Sequence, residues 1–391
     1  MLRKLKTPLA AGFMGLALVA CQTLSEPPPS LAYQNGAELA DSTNVVVLVE
    51  SEQAANTLLI NAARRGYQLS EKIELASLDL IMMNFQRPPG VSGDIAIADM
   101  KAAEPSATVG VEHLFTIQSN ETSDIAAAAP RLYAEALLDW PQSGCRSQIA
   151  IGIIDGDVDV SSSQLANVDI EKRNFSNGRP AAEPHGTAIA NLLVGPGRLH
   201  GEKLYAATVV SDNRETPGAG VREIIQALNW MLEADVKLVN ISLAGPYNAL
   251  LDQAIRRATN RGLVIVAAAG NDGPDAEPQY PAAFSNVIAV TAVDRALEIY
   301  NRAVQGDHID FSAPGVDVFV NEGQSTTYLS GTSVAAPFVT ALIASAPFMS
   351  SNQEVGTVRE LVSGSSVDLG ATGPDPVFGR GLAKRTWTCS D

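Results

Sequence analysis

Near-continuous apolar segments alternate with amphipathic segments from about residue 148 to the end of the chain. Several have the length and the Val, Ile and Ala content of strands buried on both faces, namely QIAIGII, KLYAATVV, VKLVNIS, GLVIVAAA and NVIAVTAV. Between them lie VREIIQALNWMLEA and NALLDQAIRRATNR, whose apolar residues recur at helical spacing. The pattern predicts an α/β domain over residues 148–391, with a parallel sheet flanked by helices.

A smaller unit with a different pattern is predicted over residues 44–118. It opens with a Val-rich strand and an amphipathic stretch for which Ser51 is the expected N-cap. Alternating runs and a second helical stretch complete the order β-α-β-β-α-β, which is typical of a ferredoxin-like α+β domain. Residues 119–147, which contain Ala and Ser clusters, are expected to link the two units and to hold one short helix in RLYAEALLDW.

The first 43 residues have the features of a secretory signal followed by a tether. Three basic residues precede an apolar run that is short for a membrane span, which is typical of a signal peptide over residues 1–20. The run ends in LVAC, which resembles the bacterial lipobox and predicts lipidation of Cys21; an ordinary signal with an incidental cysteine stays an alternative. Residues 21–43 are expected to form a Pro-rich tether. The predicted location is the bacterial cell envelope, lipid-anchored and facing the periplasm or the exterior.

Charge and cysteine content narrow the partners and the compartment. The 391 residues have a formal net charge of -16, so most of the surface would repel a polyanion, which argues against nucleic acid as a partner. If Cys21 carries lipid, the remaining thiols are Cys145 and Cys389. An even pair in an oxidising compartment favours a disulfide between them. Two free buried thiols stay an alternative, because the sequence does not provide their separation.

Three acids spaced two residues apart follow the first strand of the predicted sheet, in IGIIDGDVD. Open parallel sheets place their chemistry at the carboxyl ends of strands, so Asp155, Asp157 and Asp159 are candidates. A calcium loop of the D-x-D-x-D-G type would need Gly and Glu where Val160 and Ala166 stand. The segment DGDV also resembles the nucleophile motif of haloacid-dehalogenase-like phosphohydrolases. No later strand ends in the acidic pair that would hold magnesium, so that class is a remote alternative.

One histidine and one serine stand out as partners for these acids. The chain contains four histidines, namely His113, His185, His200 and His308. The first lies in the small unit and the last two in polar, loop-like contexts where solvent exposure is expected. His185 instead opens HGTAIANLLVG, which runs into an apolar helix. Ser333, in GTSVAAP, is predicted at the mouth of a helix whose free N–H groups favour developing negative charge, and Pro337 lacks the N–H that would bond the Ser333 carbonyl.

Taken together, four segments resemble the signatures of the subtilisin-like serine peptidases. They contain Asp155 at a strand end, His185 in HGTAIA, Asn271 in VAAAGNDG and Ser333 in GTSVAAP, in the chain order Asp, His, Ser. The resemblance extends from about Gln148 to Lys384. It implies a subtilisin-like fold and serine endopeptidase activity. The small unit before it is similar to the propeptide that assists folding in this family and then inhibits the enzyme.

The resemblance also implies a role for each residue. Ser333 would attack the scissile carbonyl, His185 would move the proton, and Asp155 would orient the imidazole. Asn271 and the Ser333 N–H would stabilise the oxyanion. An extended protein or peptide substrate would pair with the backbone of Ser242, Leu243, Ala244 and Gly245. No cofactor is implied, and no metal is expected, because the segment Gly195–Lys203 is shorter than the loop that often binds calcium in relatives.

Two departures from the family pattern and one processing hypothesis complete these expectations. Gly156 and Asp157 stand where Ser or Thr and then Gly are usual, and Val334 stands where Met is usual. A cut between about Gln118 and Pro130 would free the catalytic domain from the membrane and leave the inhibitor tethered. Retention by tight propeptide binding is equally consistent with the sequence. A catalytically weak or inactive peptide-binding relative is the main alternative function.

Overall fold

The computed structural model describes residues 39–118, 120–121, 133–181, 183–212, 217–321, 326–350 and 353–389. The elements of its N-terminal unit are β1 (Leu39–Val49), α1 (Glu52–Arg64), β2 (Gln68–Leu75), β3 (Leu80–Gln86), α2 (Gly93–Ala103) and β4 (Thr108–Ile117). These strands form an antiparallel sheet in the order β4-β1-β3-β2. The predicted ferredoxin-like α+β unit is therefore confirmed.

Local features explain where these elements begin. Ser51 caps α1 as expected, because its hydroxyl oxygen accepts from the Ala54 N–H over 3.2 Å. Strand β1 begins at Leu39, earlier than the apolar run that starts after Asn44. Backbone pairing across a bulge to β4 holds this polar beginning of the strand, so no hydrophobic pattern marks it.

The second unit is built around a seven-stranded parallel sheet in the order β16-β15-β14-β12-β7-β10-β8. The strands that follow β4 are β5 (Asn120–Glu121), β6 (Cys145–Arg146), β7 (Ile151–Asp155), β8 (Ile170–Asn174), β9 (Leu199–His200), β10 (Leu204–Thr208), β11 (Ala219–Gly220), β12 (Leu238–Ile241), β13 (Leu243–Ala244), β14 (Val264–Ala268), β15 (Ile288–Val293), β16 (Phe311–Pro314), β17 (Val318–Asn321) and β18 (Thr326–Ser330). The helices are α3 (Tyr133–Leu138), α4 (Glu183–Val194), α5 (Val221–Glu233), α6 (Ala249–Asn260), α7 (Thr332–Ser345) and α8 (Val355–Ser363). The predicted parallel sheet with flanking helices is confirmed.

The two faces of the large sheet bury different cores. Helices α4 and α7 cover one face, and α5 and α6 cover the other. The N-terminal sheet packs on α5 and α6, and its Leu48, Leu75 and Met82 share a buried cluster with Ile224 and Leu251. A third core lies between the N-terminal sheet and its own helices. The N-terminal unit is therefore joined to the second unit by a continuous apolar interface.

The segments at the two ends of the second unit are joined covalently. Cys145 and Cys389 form a disulfide with their Cα atoms 5.1 Å apart, although 244 positions separate them in sequence. Cys21 lies outside the described residues. Within the described ranges, the helices are all too short or too polar to cross a bilayer.

Candidate active site

Three side chains converge at the carboxyl edge of the large sheet. Asp155 ends β7, His185 lies in the first turn of α4, and Ser333 lies in the first turn of α7. His185 Nδ1 is 2.7 Å from Asp155 Oδ1, and His185 Nε2 is 3.3 Å from Ser333 Oγ. All three are buried. The structure thus brings together the predicted Asp, His and Ser in the order that lets a carboxylate orient a base and the base contact a hydroxyl.

The proline in α7 leaves the carbonyl of Ser333 without a hydrogen bond inside the helix, as expected from the sequence. Pro337 has no N–H to donate to the Ser333 carbonyl, which instead lies 3.3 Å from the hydroxyl of Ser242. Asn240 Nδ2 donates to Ser242 Oγ over 2.8 Å. Ser242, predicted among the substrate-binding residues, therefore has its side chain beneath the nucleophile and not in the substrate groove.

Asn271 follows β14, and its side chain lies beside the first turn of α7, where Ser333 is located. Its Oδ1 accepts from the Thr332 N–H and contacts Thr332 Oγ1, both over 3.1 Å. These contacts orient the side chain so that Nδ2 donates in the opposite direction. Thr332 was not identified from the sequence as a functional residue, although it directly precedes Ser333 in the GTS motif.

The acceptor for these donors is a backbone carbonyl of the chain itself. The carbonyl oxygen of Gln118 accepts from Asn271 Nδ2 over 2.6 Å and from the Ser333 N–H over 3.1 Å. Ser333 Oγ lies 2.5 Å from the same oxygen. The Gln118 side chain also accepts from the Asn271 N–H over 2.9 Å. The last described residue of the N-terminal unit therefore lies against the predicted catalytic groups.

Two short strands hold the segment that leads to Gln118. On one side, Leu243 and Ala244 of β13 pair antiparallel with Ile117 and Thr116. On the other side, β11 pairs antiparallel with Phe115 and Leu114. The segment from Ser242 to Gly245 was predicted to pair with an extended substrate, and here its two central residues pair with β4 of the chain itself.

Strand β11 was not predicted, and its sequence explains why. The segment Gly218-Ala219-Gly220 has no hydrophobic pattern, and it acquires its role from lying beside β4. A Cβ at Gly218 would lie 2.7 Å from the carbonyl oxygen of Phe115, so only glycine permits this close approach. Past Gln118, the backbone of β5 pairs antiparallel with Leu329 and Ser330 of β18.

A buried cluster of charged residues anchors the N-terminal unit beside this groove. Arg222, at the start of α5, donates to Glu112 over 2.6 Å and to Glu71 over 2.8 Å. Glu112 and Glu223 both lie against Gly220, where a Cβ would be 2.5 Å from either carboxylate. Burial and the neighbouring Glu223 raise the pKa of the fully buried Glu112, against the opposing effect of Arg222.

His113, the next residue of β4, is buried at the same interface. Its Nδ1 lies 3.1 Å from Asn248 Nδ2, and the Asn248 side chain also caps α6. Burial lowers the pKa of His113 to about 4. The pKa of Glu112 is therefore raised and that of His113 is lowered, so both residues favour their neutral forms in the folded protein.

Opposite pH dependences are expected for variants at these two positions in the uncleaved Ser333→Ala background. Glu112, with its raised pKa, stabilises docking below its ordinary value of 4.5, and this is lost as the pH rises through the raised pKa. His113, with its lowered pKa, stabilises docking above its ordinary value of 6.5, and this is lost as the pH falls toward 4. As the pH is lowered from about 7 to about 5, the Tm of His113→Gln should rise relative to that of the parent. The Tm of Glu112→Gln should fall relative to that of the parent over the same range.

Thermal unfolding followed by circular dichroism measures this difference, and each slope is at most about 1.4 kcal/mol per pH unit. Glu52→Gln is the matched control, because Glu52 is an exposed carboxylate of the same unit. The same change of slope in both test variants would contradict the assignment of opposite signs.

The other acids and histidines lie outside the Asp-His-Ser contact chain. Asp159 Oδ1 accepts from the Ser161 N–H over 2.9 Å and stabilises the following turn. Asp157 contacts Lys172 and Thr208. His200 is exposed as expected, whereas His308 is half-buried and its pKa is lowered by burial. Among the described residues, no group of three or more His, Cys, Asp or Glu side chains is arranged to hold a metal ion.

Comparison with known proteins agrees with this geometry. The model of the subtilase family of S8 peptidases matches residues 146–381. The chain belongs to the subtilase family. The predicted enzyme class, a serine-type endopeptidase, is therefore confirmed at the level of the family, and the phosphohydrolase alternative is wrong.

Several characterised subtilases are similar to this chain. The minor extracellular protease Epr of Bacillus subtilis (strain 168) is 28% identical over 255 residues, which are 62% of this chain and 39% of that protein. Subtilisin DY of Bacillus licheniformis is 31% identical over 256 residues, which are 60% of this chain and 89% of that protein. The M-protease of Shouchella clausii (strain KSM-K16) is 27% identical over 320 residues, or 77% and 80% of the two chains. The chain thus spans less than half of the length of Epr and most of the other two.

A solved structure extends the similarity of fold to the N-terminal unit. Fervidolysin from Fervidobacterium pennivorans, described as a keratinolytic enzyme related to subtilisin, superposes with a TM-score of 0.71 at 18% identity. The superposition covers 90% of this subtilase and 61% of fervidolysin. At this identity the likeness concerns the fold alone.

Proposed function

We propose that this subtilase is made as an inhibited precursor and that its first substrate is its own peptide bond between Gln118 and Ser119. One observation carries the proposal: the Gln118 carbonyl oxygen accepts hydrogen bonds from Asn271 Nδ2 and the Ser333 N–H. These donors are those that would stabilise an oxyanion during acyl transfer. The carbonyl that follows β4 is therefore the one presented for attack.

Cleavage follows from the contacts around this carbonyl. Ser333 Oγ attacks the carbonyl carbon of Gln118 while His185 Nε2 takes the hydroxyl proton, and Asp155 Oδ1 accepts the hydrogen bond from His185 Nδ1. The negative charge on oxygen is stabilised by the two donors, and the C–N bond then breaks as His185 protonates the amine of Ser119. Water attacks the resulting ester by the same proton transfers and frees Ser333.

The groove that holds residues 114–118 is the proposed site for extended protein and peptide substrates. Strands β11 and β13 pair with both edges of the bound segment, so affinity comes largely from backbone hydrogen bonds. After cleavage, β4 remains a product bound in the same groove. The N-terminal unit then acts as an intramolecular inhibitor until it dissociates, which agrees with the role of propeptides in this family.

The proposal includes a cell-envelope location. The lipobox-like LVAC supports lipidation of Cys21 and a membrane anchor on the propeptide side of the cut. The pairing of Cys145 with Cys389 supports an oxidising compartment. Cleavage after Gln118 then separates the anchor from the catalytic domain, and release requires dissociation of the docked N-terminal unit.

Membrane fractionation with N-terminal sequencing and mass spectrometry tests these points together. The catalytic fragment is expected to begin at Ser119, and a lipid-modified fragment ending at Gln118 is expected in the membrane fraction. Cys21→Ala is the control, since it should move the N-terminal fragment out of the membrane fraction without changing the cut. A first residue other than Ser119 would refute the cleavage site, and an unmodified Cys21 would refute the anchor.

A further inference from the structure

The turn after the catalytic aspartate departs from the family pattern, and its surroundings show what replaces the usual residues. Asp155 Oδ1 accepts from both the Gly156 N–H, over 2.6 Å, and His185 Nδ1. Asp155 Oδ2 is buried and has no hydrogen-bond partner among the described residues. Gly156 has no hydroxyl to offer it. The orientation of this carboxylate therefore depends on how firmly its backbone turn is held.

Asp157 holds the turn against the sheet. Its Oδ1 lies 2.8 Å from Lys172 Nζ and accepts from the Thr208 hydroxyl over 2.9 Å. The same Lys172 Nζ donates to the carbonyl of Val158 over 2.8 Å. Burial alone would raise the pKa of Asp157, but the hydrogen bonds from Lys172 and Thr208 hold it below its ordinary value. Asp157 is therefore ionised and paired.

The register of the sheet explains why these side chains meet. Strand β10 lies between β7 and β8, and Thr208 pairs in register with Asp155. Lys172 of β8 pairs with Ala206, two residues before Thr208. Side chains two residues apart share a face, so Asp155, Thr208 and Lys172 all project from one face of the sheet. Asp157 folds back onto that face from the end of β7.

The other side of the turn contacts the helix that carries the catalytic histidine. A Cβ at Gly186 would lie 2.2 Å from the carbonyl oxygen of Asp157 and 2.5 Å from that of Gly156. Only glycine at the residue after His185 permits this approach. The Asp159 N–H also donates to the Thr187 hydroxyl over 2.9 Å. The turn is thus clamped between strands β8 and β10 on one side and α4 on the other.

From this clamp we infer that Asp157 and Lys172 are positioning residues for the Asp155–His185 pair. They hold the turn that orients Asp155, and the Lys172 cation balances the additional carboxylate that this chain places beside its triad. The inference rests on the proposed roles of Asp155, His185 and Ser333.

The charge around His185 is determined by few groups. Within the described residues, α7 and β17, which pack against α4, contribute no titratable side chain. The titratable residues on or near the first turn of α4, or on the elements packed against the helix, are Glu183, Asp155, Asp157, Asp159, Lys172 and His200. Removing one member of the Asp157–Lys172 pair therefore changes the net charge near His185 by one unit.

The pH profile of kcat/KM on a peptide amide tests the inference, because its acidic limb reports protonation of the catalytic base. Lys172→Met leaves the negative charge of Asp157 without a balancing cation, which favours the His185 cation. The acidic limb should therefore shift to higher pH by roughly half a pH unit. Asp157→Asn leaves the positive charge of Lys172 without a balancing anion, so the acidic limb should shift to lower pH by a similar amount. The double variant should restore the position of the limb while kcat stays roughly tenfold below the parent.

Two controls separate positioning from a general loss of stability. Lys172→Arg keeps the cation and should keep the limb. Lys203→Met removes a lysine of matched exposure, 35% against 34%, that pairs with Glu171 away from the turn, and it should leave the profile unchanged. Limbs that stay in place, or that move in the same direction in both single variants, would overturn the inference. An inactive parent that fails to react with a fluorophosphonate would instead overturn the proposed function.

Discussion

Ser333→Ala is expected to leave the chain uncleaved at Gln118 and to lower peptidase turnover by about 10⁶-fold, the loss known for removal of the triad serine in subtilisin, a member of the same family. The substitution removes the hydroxyl that lies against both His185 Nε2 and the Gln118 carbonyl. Asn271 and the Ser333 backbone N–H remain, so the carbonyl should stay bound without being attacked. Gel analysis measures processing and hydrolysis of a peptide amide measures turnover, while fluorophosphonate labelling reports whether the serine is reactive.

Ser345→Ala is a matched control for this variant. Ser345 is a buried serine of the same helix, and its hydroxyl donates to the Leu342 carbonyl over 2.9 Å, away from the site. It should keep both processing and labelling. If the parent itself is neither processed nor labelled, the chain is the inactive peptide-binding relative. Processing that persists in Ser333→Ala would show that another peptidase makes the cut.

Asn271→Ala is expected to reduce kcat by about 10²–10³-fold with little change in KM, the range known for removal of the oxyanion-hole asparagine of subtilisin. The amide directs Nδ2 at the Gln118 carbonyl oxygen over 2.6 Å, a contact that strengthens as negative charge develops there. An interaction of this kind stabilises the transition state more than the bound substrate. Steady-state kinetics and the rate of self-cleavage provide two independent measurements.

Thr332→Val tests whether the orientation of the Asn271 amide matters, and Asn286→Ala is its control. Thr332 Oγ1 contacts Asn271 Oδ1, so Thr332→Val keeps the shape but loosens the amide, and a loss of roughly tenfold in kcat is expected. Asn286, whose amide donates to Thr259 over 2.8 Å, is a control with no expected effect on kcat. A rise in KM with unchanged kcat in Asn271→Ala would assign the amide to ground-state binding instead.

Much of the fold was accessible from local pattern. The Val- and Ile-rich runs correspond to β7, β10, β12, β14 and β15. Their burial on both faces explains why a continuous apolar run was informative. Elements that depend on a neighbour were missed: β11 has only small residues, and the first part of β1 is polar. Neither carries a hydrophobic period, and pairing with β4, which the sequence does not reveal, gives each its strand conformation.

The sequence by itself determined the chemistry, because the motifs around Asp155, His185, Asn271 and Ser333 identify residue types in an order that one family shares. It could not locate the bond presented to those residues, since Gln118 reaches the site only when β4 docks between β11 and β13. Nor could it interpret Asp157, which reads as an extra acid in one dimension. Its partners, Lys172 and Thr208, lie on two other strands that only the register of the folded sheet brings to the end of β7.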